Sequence, residues 1–426
     1  MIGFVGLSHL GLNYSLATAA KGFEVVAYDP DAALAARCTA GDFPIDEPGF
    51  KELFSVHRAR LHYTADAARL AACDLVFYAL DIRTNEHNES DTGPLTKLIH
   101  DTAPVLDAGA TVVLLSQVSP GYTRALVADF TKHPEVKVRS FYYQVETLIF
   151  GAAVQRAMEP ERFIVGAADP NAPVPAHFAE WHAVFKCPVL VMRFESAELA
   201  KIAINFFLVS TVSTTNTLAE VCEAIGADWS EIAPALRLDK RIGPHAYLKP
   251  GLGIAGGNLE RDLVTVQRLA ARHNTDASIV SAWQHNSAYR KNWALRLIRR
   301  EVLKAKPSAR LAIWGLAYKQ DTHSIKNSAS VELLHSLSEI VIHAYDPAAK
   351  LAGVAFSRVT VHPNALATLD DADALVVMTP WKEFSLIPPA EIRKRMPGTL
   401  VIDPFGMLSR DACVRAGLRH IQLGRI

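Results

Sequence analysis

Cysteine is scarce: 426 residues contain five, Cys38, Cys73, Cys187, Cys222 and Cys413. The number is odd and no two show CxxC spacing. Neither a disulfide framework nor a zinc cage follows, and the usage fits a reducing compartment. A charge surplus is missing too, with 44 Lys+Arg against 44 Asp+Glu. A sequence-independent nucleic-acid binder would carry a basic excess, so no nucleic-acid partner is expected. The chain opens on strand-like Ile2 to Gly6 with no basic or apolar leader before it, so no secretory signal is expected and the cytoplasm is the expected setting. The most membrane-like stretch, residues 202–221, is interrupted by Asn205, Ser210, Thr211, Ser213, Thr214, Thr215 and Asn216. It reads as a buried helix of a soluble protein, and no membrane partner is expected. Short-period repeats and low-complexity segments are absent. What remains is the composition of a folded chain, 50% hydrophobic and 21% charged, and a length that suggests two to four domains.

Apolar runs of strand length recur at residues 2–6, 23–28, 74–80, 111–115 and 136–143, with Ala/Leu-rich stretches such as Leu12–Lys21 and Asp31–Cys38 between them. This alternation predicts a doubly wound parallel sheet over residues 1–194. Residues 196–226 then read as one long helix, followed by helical stretches at 259–274 and 278–303. Together they form an expected central helical domain, 195–304. After the connector Lys304–Ser308, the β/α rhythm returns at 311–315, 340–346, 374–380 and 399–403, predicting a second α/β domain over 305–426. The expected fold class is α/β, with two Rossmann-like doubly wound domains joined by a helical one.

Gly6-Leu7-Ser8-His9-Leu10-Gly11 follows a strand and opens a helix. It matches the dinucleotide fingerprint GxGxxG except for Ser8 at the second glycine. Gly6 permits the tight turn, Gly11 lets helix and strand approach, and the helix N-terminus faces a pyrophosphate. Ser8, His9 and Leu10 complete this cofactor turn. Asp29 ends the next strand, where a carboxylate accepts hydrogen bonds from a ribose diol and favours NAD over NADP. The same residues also fit an α/β domain with a glycine turn and no dinucleotide.

Lys201 and Asn205 lie four apart on the long helix, with Glu198 three residues before the lysine, so all three share one face. An ammonium and a carboxamide one turn apart can hold an alkoxide while hydride leaves the adjacent carbon. On an ordinary helix such a pair is a solvated face. Glu146 follows a strand, where it can meet substrate in the crevice or cap a helix. The stretch from Lys249 to Asp262 holds four glycines and leads into a helix; its backbone can approach a ligand closely, and Asp262 can orient or deprotonate a water. Gly315 to Lys319 again follows a strand and is expected to open a helix. With Lys326 it could gather nucleotide phosphates.

Taken together, GFVGLSHLG, DFPIDEPGF (42–50), ESAELAKIAINFF (195–207), Asp239 to Gly243, the glycine-rich loop, GLAYKQDT (315–322) and TPWKEF (379–384) resemble the UDP-glucose/GDP-mannose dehydrogenase family. The order is the family's, along nearly the whole chain. The resemblance implies a Rossmann domain, a central dimerisation domain and a nucleotide-sugar domain, with NAD as cofactor and polysaccharide biosynthesis as the setting. It further implies a homodimer and oxidation of a sugar C6 alcohol in two hydride transfers. By the same resemblance Lys201 and Asn205 stabilise oxyanions, Asp262 works with a water, and Glu146 is the first acidic residue of the family's NPEFLREG segment. Ser116 and Lys326 fall to the cofactor, and Gly256, Gly257, Tyr318 and Lys319 to the substrate. Arg241 falls to a substrate across the dimer interface.

Departures cluster at the substrate and at the second oxidation. Counting back from Asp262, the family's cysteine position holds Asn258. The second glutamate of NPEFLREG is Phe150, Gln117 replaces a threonine in the K-S-T segment, Leu80 to Arg83 replaces V-P-T-P, and Phe405 replaces an arginine. A carboxamide has no comparable nucleophilicity, so thioester formation is not expected at Asn258. The leading expectation is an NAD-dependent oxidoreductase acting on a nucleotide sugar, a UDP-sugar, by one two-electron or transient oxidation. The alternatives are four-electron oxidation through an aldehyde hydrate and a catalytically silent binding homologue. A β-hydroxyacid dehydrogenase is disfavoured by the second α/β domain.

Overall fold

The computed structural model describes residues 1–85, 88–254, 258–351 and 356–425. The chain divides into two compact units, Met1–Ile204 and Asn205–Ile426. The first contains strands β1 (Ile2–Val5), β2 (Val25–Tyr28), β3 (Leu61–Thr64), β4 (Leu75–Tyr78), β5 (Thr111–Leu114), β6 (Ser140–Gln144), β7 (Phe163–Ala167) and β8 (Val189–Arg193). Its helices are α1 (His9–Ala20), α2 (Ala32–Thr39), α3 (Phe50–His57), α4 (Gly93–Thr102), α5 (Tyr122–Phe130), α6 (Ala153–Met158) and α7 (Ala176–Ala183). The strand order is β3-β2-β1-β4-β5-β6-β7-β8. Every pairing is parallel except β6 with β7.

The period-two alternation of these strands explains why both faces are covered. Phe4, Val25, Ala27, Leu75, Phe77 and Val113 pack on one face, while Val5, Val26, Tyr28, Val76, Tyr78, Val112 and Leu114 pack on the other. Residues with no polar face leave helices as the only cover for each side. Strand β3 escapes the apolar-run reading because its outer positions, His62 and Thr64, are polar and half-buried. Of the expected run 136–143, only Ser140 onward pairs; Val136 and Val138 are buried without joining the ladder.

Helix α8 (Phe194–Ile225) links the two units as one element of 32 residues. The second unit continues with α9 (Trp229–Leu238), α10 (Asn258–His273), α11 (Ser278–Lys291) and α12 (Trp293–Ile298). The expected helix 278–303 is thus interrupted at Asn292 and ends in a π-turn, Arg299–Leu303. Strands β9 (Arg310–Trp314), β10 (Val341–Tyr345), β11 (Val359–Val361), β12 (Ala374–Val377), β13 (Leu400–Ile402) and β14 (Arg419–Ile421) follow, with helices α13 (Ala329–Ser336), α14 (Pro389–Arg395) and α15 (Arg410–Arg415) among them. Their order, β11-β10-β9-β12-β13-β14, is parallel throughout. Fold class is as read from the sequence: two doubly wound sheets and a helical segment between them.

Two expectations are corrected. Residues 315–319 open no helix, because the backbone is held as a loop: Asp346 Oδ2 accepts from Leu316 N at 2.6 Å and Ala317 N at 2.9 Å. Tyr318 N donates to Ser324 O at 3.0 Å, and α13 begins only after its cap, Ser328. Helix α8 is long and apolar enough to cross a membrane by length and composition, with a mean hydropathy of 1.3 over its best window. Its Ser, Thr and Asn residues do not bring it below that level, and only 33% of the window is buried within the chain. One such helix is weak support for a span, since core helices pass the same test.

At Gly11 helix and strand approach so closely that a Cβ would lie 1.8 Å from Gly6 O. Gly11→Ala should therefore force α1 away from β1 and destabilise the protein by about 3 kcal/mol, read as a lowered urea midpoint with the slope unchanged.

Candidate functional site

In the first unit, β1 is followed by Gly6, whose φ of 102° belongs to glycine. Gly6 N donates to Tyr28 O at 2.8 Å, and Leu7 N donates to Asp29 Oδ2 at 2.8 Å. Asp29 therefore stands at the end of β2 as expected and braces the turn while each of its oxygens keeps a further lone pair. Its other oxygen takes Asp31 N at 3.0 Å. Ser8 precedes α1 without capping it. Its hydroxyl donates to Ala79 O at 2.8 Å and accepts from Asp81 N at 3.1 Å. Within α1 the first bond back is from Leu12 N to Ser8 O, so the N–H groups before it face out of the helix end.

One of them is already satisfied by an anion. Asp81 Oδ2 accepts from His9 N at 3.0 Å, where the fingerprint places a pyrophosphate. The helix end thus already holds one negative charge, where a phosphate oxygen would have to take the place of Asp81. Solvent reaches Asp81, yet the surrounding protein raises its carboxyl pKa by desolvation, opposed by His9 and reinforced by Glu146. With Gly6, Gly11 and Asp29 in place, these residues fit a dinucleotide provided Asp81 gives way.

His9 and Leu10 serve that turn through their backbones. The Leu10 side chain is buried in the core. The His9 ring lies 2.7 Å from Glu47 Oε1 and 4.4 Å, centroid to centroid, from Phe150. Glu47 is buried and also accepts from Gly151 N at 3.0 Å and Ala153 N at 3.2 Å, capping the start of α6. Sequence reasoning missed this role; the only signal was a carboxylate in the turn-rich segment Ile45 to Gly49. Ser116 is buried, accepting from Leu80 N at 2.9 Å and donating to Tyr78 O at 3.3 Å. That hydroxyl ties β4 to β5.

Glu146 follows β6, as the sequence indicated, and meets Lys201. Lys201 Nζ lies 2.6 Å from Glu146 Oε1 and donates to Glu146 O at 3.1 Å. The other Glu146 oxygen accepts from Leu148 N at 2.9 Å. Glu198, three residues before Lys201 on α8, is buried against the start of α5, taking Gly121 N at 2.6 Å and Thr123 N at 2.9 Å.

In the second unit, Asn205 Nδ2 donates to Asp262 Oδ2 at 2.5 Å, and Arg261 Nε is 3.3 Å from Asp262 Oδ1. Asp262 and Arg261 are both buried. A carboxylate held this way is oriented by an amide on one side and a guanidinium on the other. Asn258 is the first residue of α10, exposed and one turn before Asp262. Gly256 and Gly257 lie outside the described residues.

Arg241 is 88% exposed and forms a two-pronged pair with Asp239, at 3.0 and 2.7 Å. Tyr318, Lys319 and Lys326 are half-buried in the loop between β9 and α13. The Lys319 ammonium sits 5.9 Å from the Tyr318 ring centre. Phe405 packs against the apolar core, whereas Phe150 is exposed. The loop after β9 repeats the geometry after β1: Gly315 N bonds Tyr345 O at 2.7 Å, as Gly6 N bonds Tyr28 O. Asp346 braces it as Asp29 braces the other, each within the tetrapeptide Ala-Tyr-Asp-Pro. All five cysteines are free. Burial pushes Cys38, Cys73 and Cys413 up to about 11 and also raises Cys187 and Cys222.

Three family models match the chain in series. The NAD binding domain of the UDP-glucose/GDP-mannose dehydrogenase family matches residues 1–186, the central domain 195–288 and the UDP binding domain 312–410. A UDP-glucose 6-dehydrogenase of Pseudomonas aeruginosa is 28% identical, with 99% of this chain and 96% of that protein covered. The UDP-glucose 6-dehydrogenase TuaD of Bacillus subtilis is 26% identical over 100% of this chain and 93% of its own. Among solved structures, a UDP-glucose dehydrogenase from Pyrobaculum islandicum superposes with a TM-score of 0.82 at 27% identity, covering 94% of this chain and 93% of that one.

Removing the competing charge should strengthen dinucleotide binding. Asp81→Asn is expected to tighten NAD about five-fold, on the scale of about 1 kcal/mol for a charge at a helix N-terminus, measured by quenching of intrinsic fluorescence. The raised carboxyl of Asp81 gains its proton above the usual carboxylate range, and the neutral form competes less. Wild-type affinity should therefore rise as pH falls from 7 through that range, by more than the affinity of Asp81→Asn rises.

Proposed function

The chain belongs to the UDP-glucose/GDP-mannose dehydrogenase family, and on that premise we propose that it oxidises a UDP-sugar by a single two-electron hydride transfer without a thioester intermediate. As a member it is an NAD-dependent oxidoreductase of CH–OH groups acting on a nucleotide sugar. NAD, when bound, supplies the hydride acceptor; Gly6, Gly11, Asp29 and the α1 N-terminus would hold it, with Ser8, His9 and Leu10 contributing the turn's backbone. Lys201, oriented by Glu146, donates to the sugar oxygen as it loses its proton. Asn205 donates to the same developing charge, and Asp262 orients the water that takes the proton. Tyr318, Lys319, Gly256 and Gly257 are assigned to the nucleotide sugar, and Lys326 to the cofactor's phosphates.

The observation that carries the single-step reading is the absence of an activated thiol. A covalent second oxidation needs a thiolate, and reactive thiolates have lowered pKa values. Asn258 stands four residues before Asp262, where the family resemblance implies a cysteine, and burial raises all five thiols. Asp81 on the α1 N-terminus favours a second reading, a catalytically silent homologue that binds the same ligands. The free cysteines support a cytoplasmic setting.

We further propose three domains, 1–194, 195–304 and 305–426, and a homodimer formed through the central helical segment. Leu199, Phe207, Leu218, Val221 and Ile225 lie on one side of α8 and are 44–77% exposed, an apolar stripe that asks for cover. Arg241 is exposed, and on leaving Asp239 it would serve the partner's substrate.

Product analysis decides the chemistry. With a panel of nucleotide sugars, about one NADH per sugar consumed is expected from the stoichiometry. A ratio of two would establish oxidation through an aldehyde hydrate, and none would indicate returned hydride or a silent protein. Lys201→Ala should lower kcat by about 100-fold or more; unchanged activity would remove Lys201 from the mechanism. Sedimentation velocity should give a dimer that Phe207→Glu converts to monomer, and a monomeric wild type would refute the dimer.

A further inference from the structure

On the side of the first sheet where α4 and α5 end, His100, Asp129 and His133 converge, with one ligand atom from each within 4.8 Å of the others. We propose that this triad binds a divalent transition-metal ion, Zn²⁺, which clips α4 to α5. His100 lies in the last turn of α4, Asp129 in the last turn of α5, and His133 four residues after Asp129 in the turn that follows.

His100 Nε2 is 3.5 Å and His133 Nε2 3.6 Å from the same oxygen, Asp129 Oδ2. These separations are long for hydrogen bonds. They match the spacing of ligand atoms around tetrahedral zinc, about 3.3–3.6 Å for bonds of about 2.0–2.2 Å. Two imidazoles and one carboxylate form a donor set that late first-row divalent ions favour, with water left to complete four-coordination.

The surroundings hold the ligands in place. His133 Nδ1 is 3.0 Å from Glu135 Oε1; a carboxylate there keeps the proton on Nδ1 and turns the Nε2 lone pair toward the triad. Phe130, buried in the core, packs edge-on against both rings, with centroids at 5.0 Å from His100 and 6.4 Å from His133. The ligand side chains are 31–39% exposed, which leaves an entry path. The opposing charge is Lys132, 3.6 Å from the other Asp129 oxygen and 75% exposed, so its ammonium can swing into solvent. Because helices antiparallel to the strands end at the strands' amino ends, this site is remote from the dinucleotide turn and its role is structural.

The rival is an imidazolium pair on one aspartate with no metal. Chelator-stripped full-length protein titrated calorimetrically with Zn²⁺ separates the two. Wild type should bind one equivalent more than Asp129→Asn or His133→Ala, while other surface histidines contribute equally to all. Glu135→Gln should retain that equivalent with affinity about ten-fold weaker. Co²⁺ should give the intense visible bands of a four-coordinate site in wild type and lose them in both ligand variants. Each variant is compared at an unchanged metal-free thermal midpoint, with His100→Gln replacing any that fails to fold. Equal zinc stoichiometry in wild type and the folded variants overturns the site.

Discussion

Glu198 is a fully buried carboxylate, and the placement of α8 in the first unit rests on it. Burial raises its pKa, while two backbone N–H groups at the start of α5 oppose that shift. A helix N-terminus is among the few apolar surroundings that tolerate a buried carboxylate, because its N–H groups and dipole stand in for water. The anchor fixes the first turns of α8, and three residues later Lys201 reaches Glu146. The lysine alone would have the rotamer freedom of any surface ammonium. With its helix pinned and its charge paired, it is a directed donor.

The rest of the first unit's chemistry is a matter of which anions occupy which backbone donors. Asp29 takes Leu7 N, Asp81 takes His9 N, Glu47 takes the start of α6, and Glu146 takes Leu148 N. Four carboxylates thus organise loops through N–H groups that the turns would otherwise leave bare. Three of them are permanent braces. Asp81 is different, since its donor is also wanted by a phosphate. The second unit uses Asp346 as a brace in the same place, so the two sheets share one turn design and differ beyond it: α1 follows the first turn at once, whereas a loop as far as Ser328 follows the second.

Much of this was legible in the chain itself. Alternating apolar runs gave both sheets, and the Gly6, Gly11 and Asp29 spacing gave the first turn, because those constraints are local. The Glu146–Lys201 pair was half visible: each residue was named, but their contact depends on a crossover between β6 and α8 that no spacing reveals. Glu198 was placed on the right helix, but a shared face three residues apart does not say what packs there. Glu47 and Asp81 were invisible as site residues because their partners lie 38 and 72 residues away. The loop after Gly315 was misread as a helix start because Asp346 imposes its shape from another strand.

The raised thiols carry a consequence beyond catalysis. Sulfur that stays protonated and packed in the interior resists peroxide and electrophiles, whereas an activated nucleophilic cysteine is the first casualty of both. On the proposed route, with Asn258 in the glycine-rich loop, turnover would have no sulfur to be poisoned. Such a protein would keep working through the bursts of oxidant that silence a thiol-dependent relative.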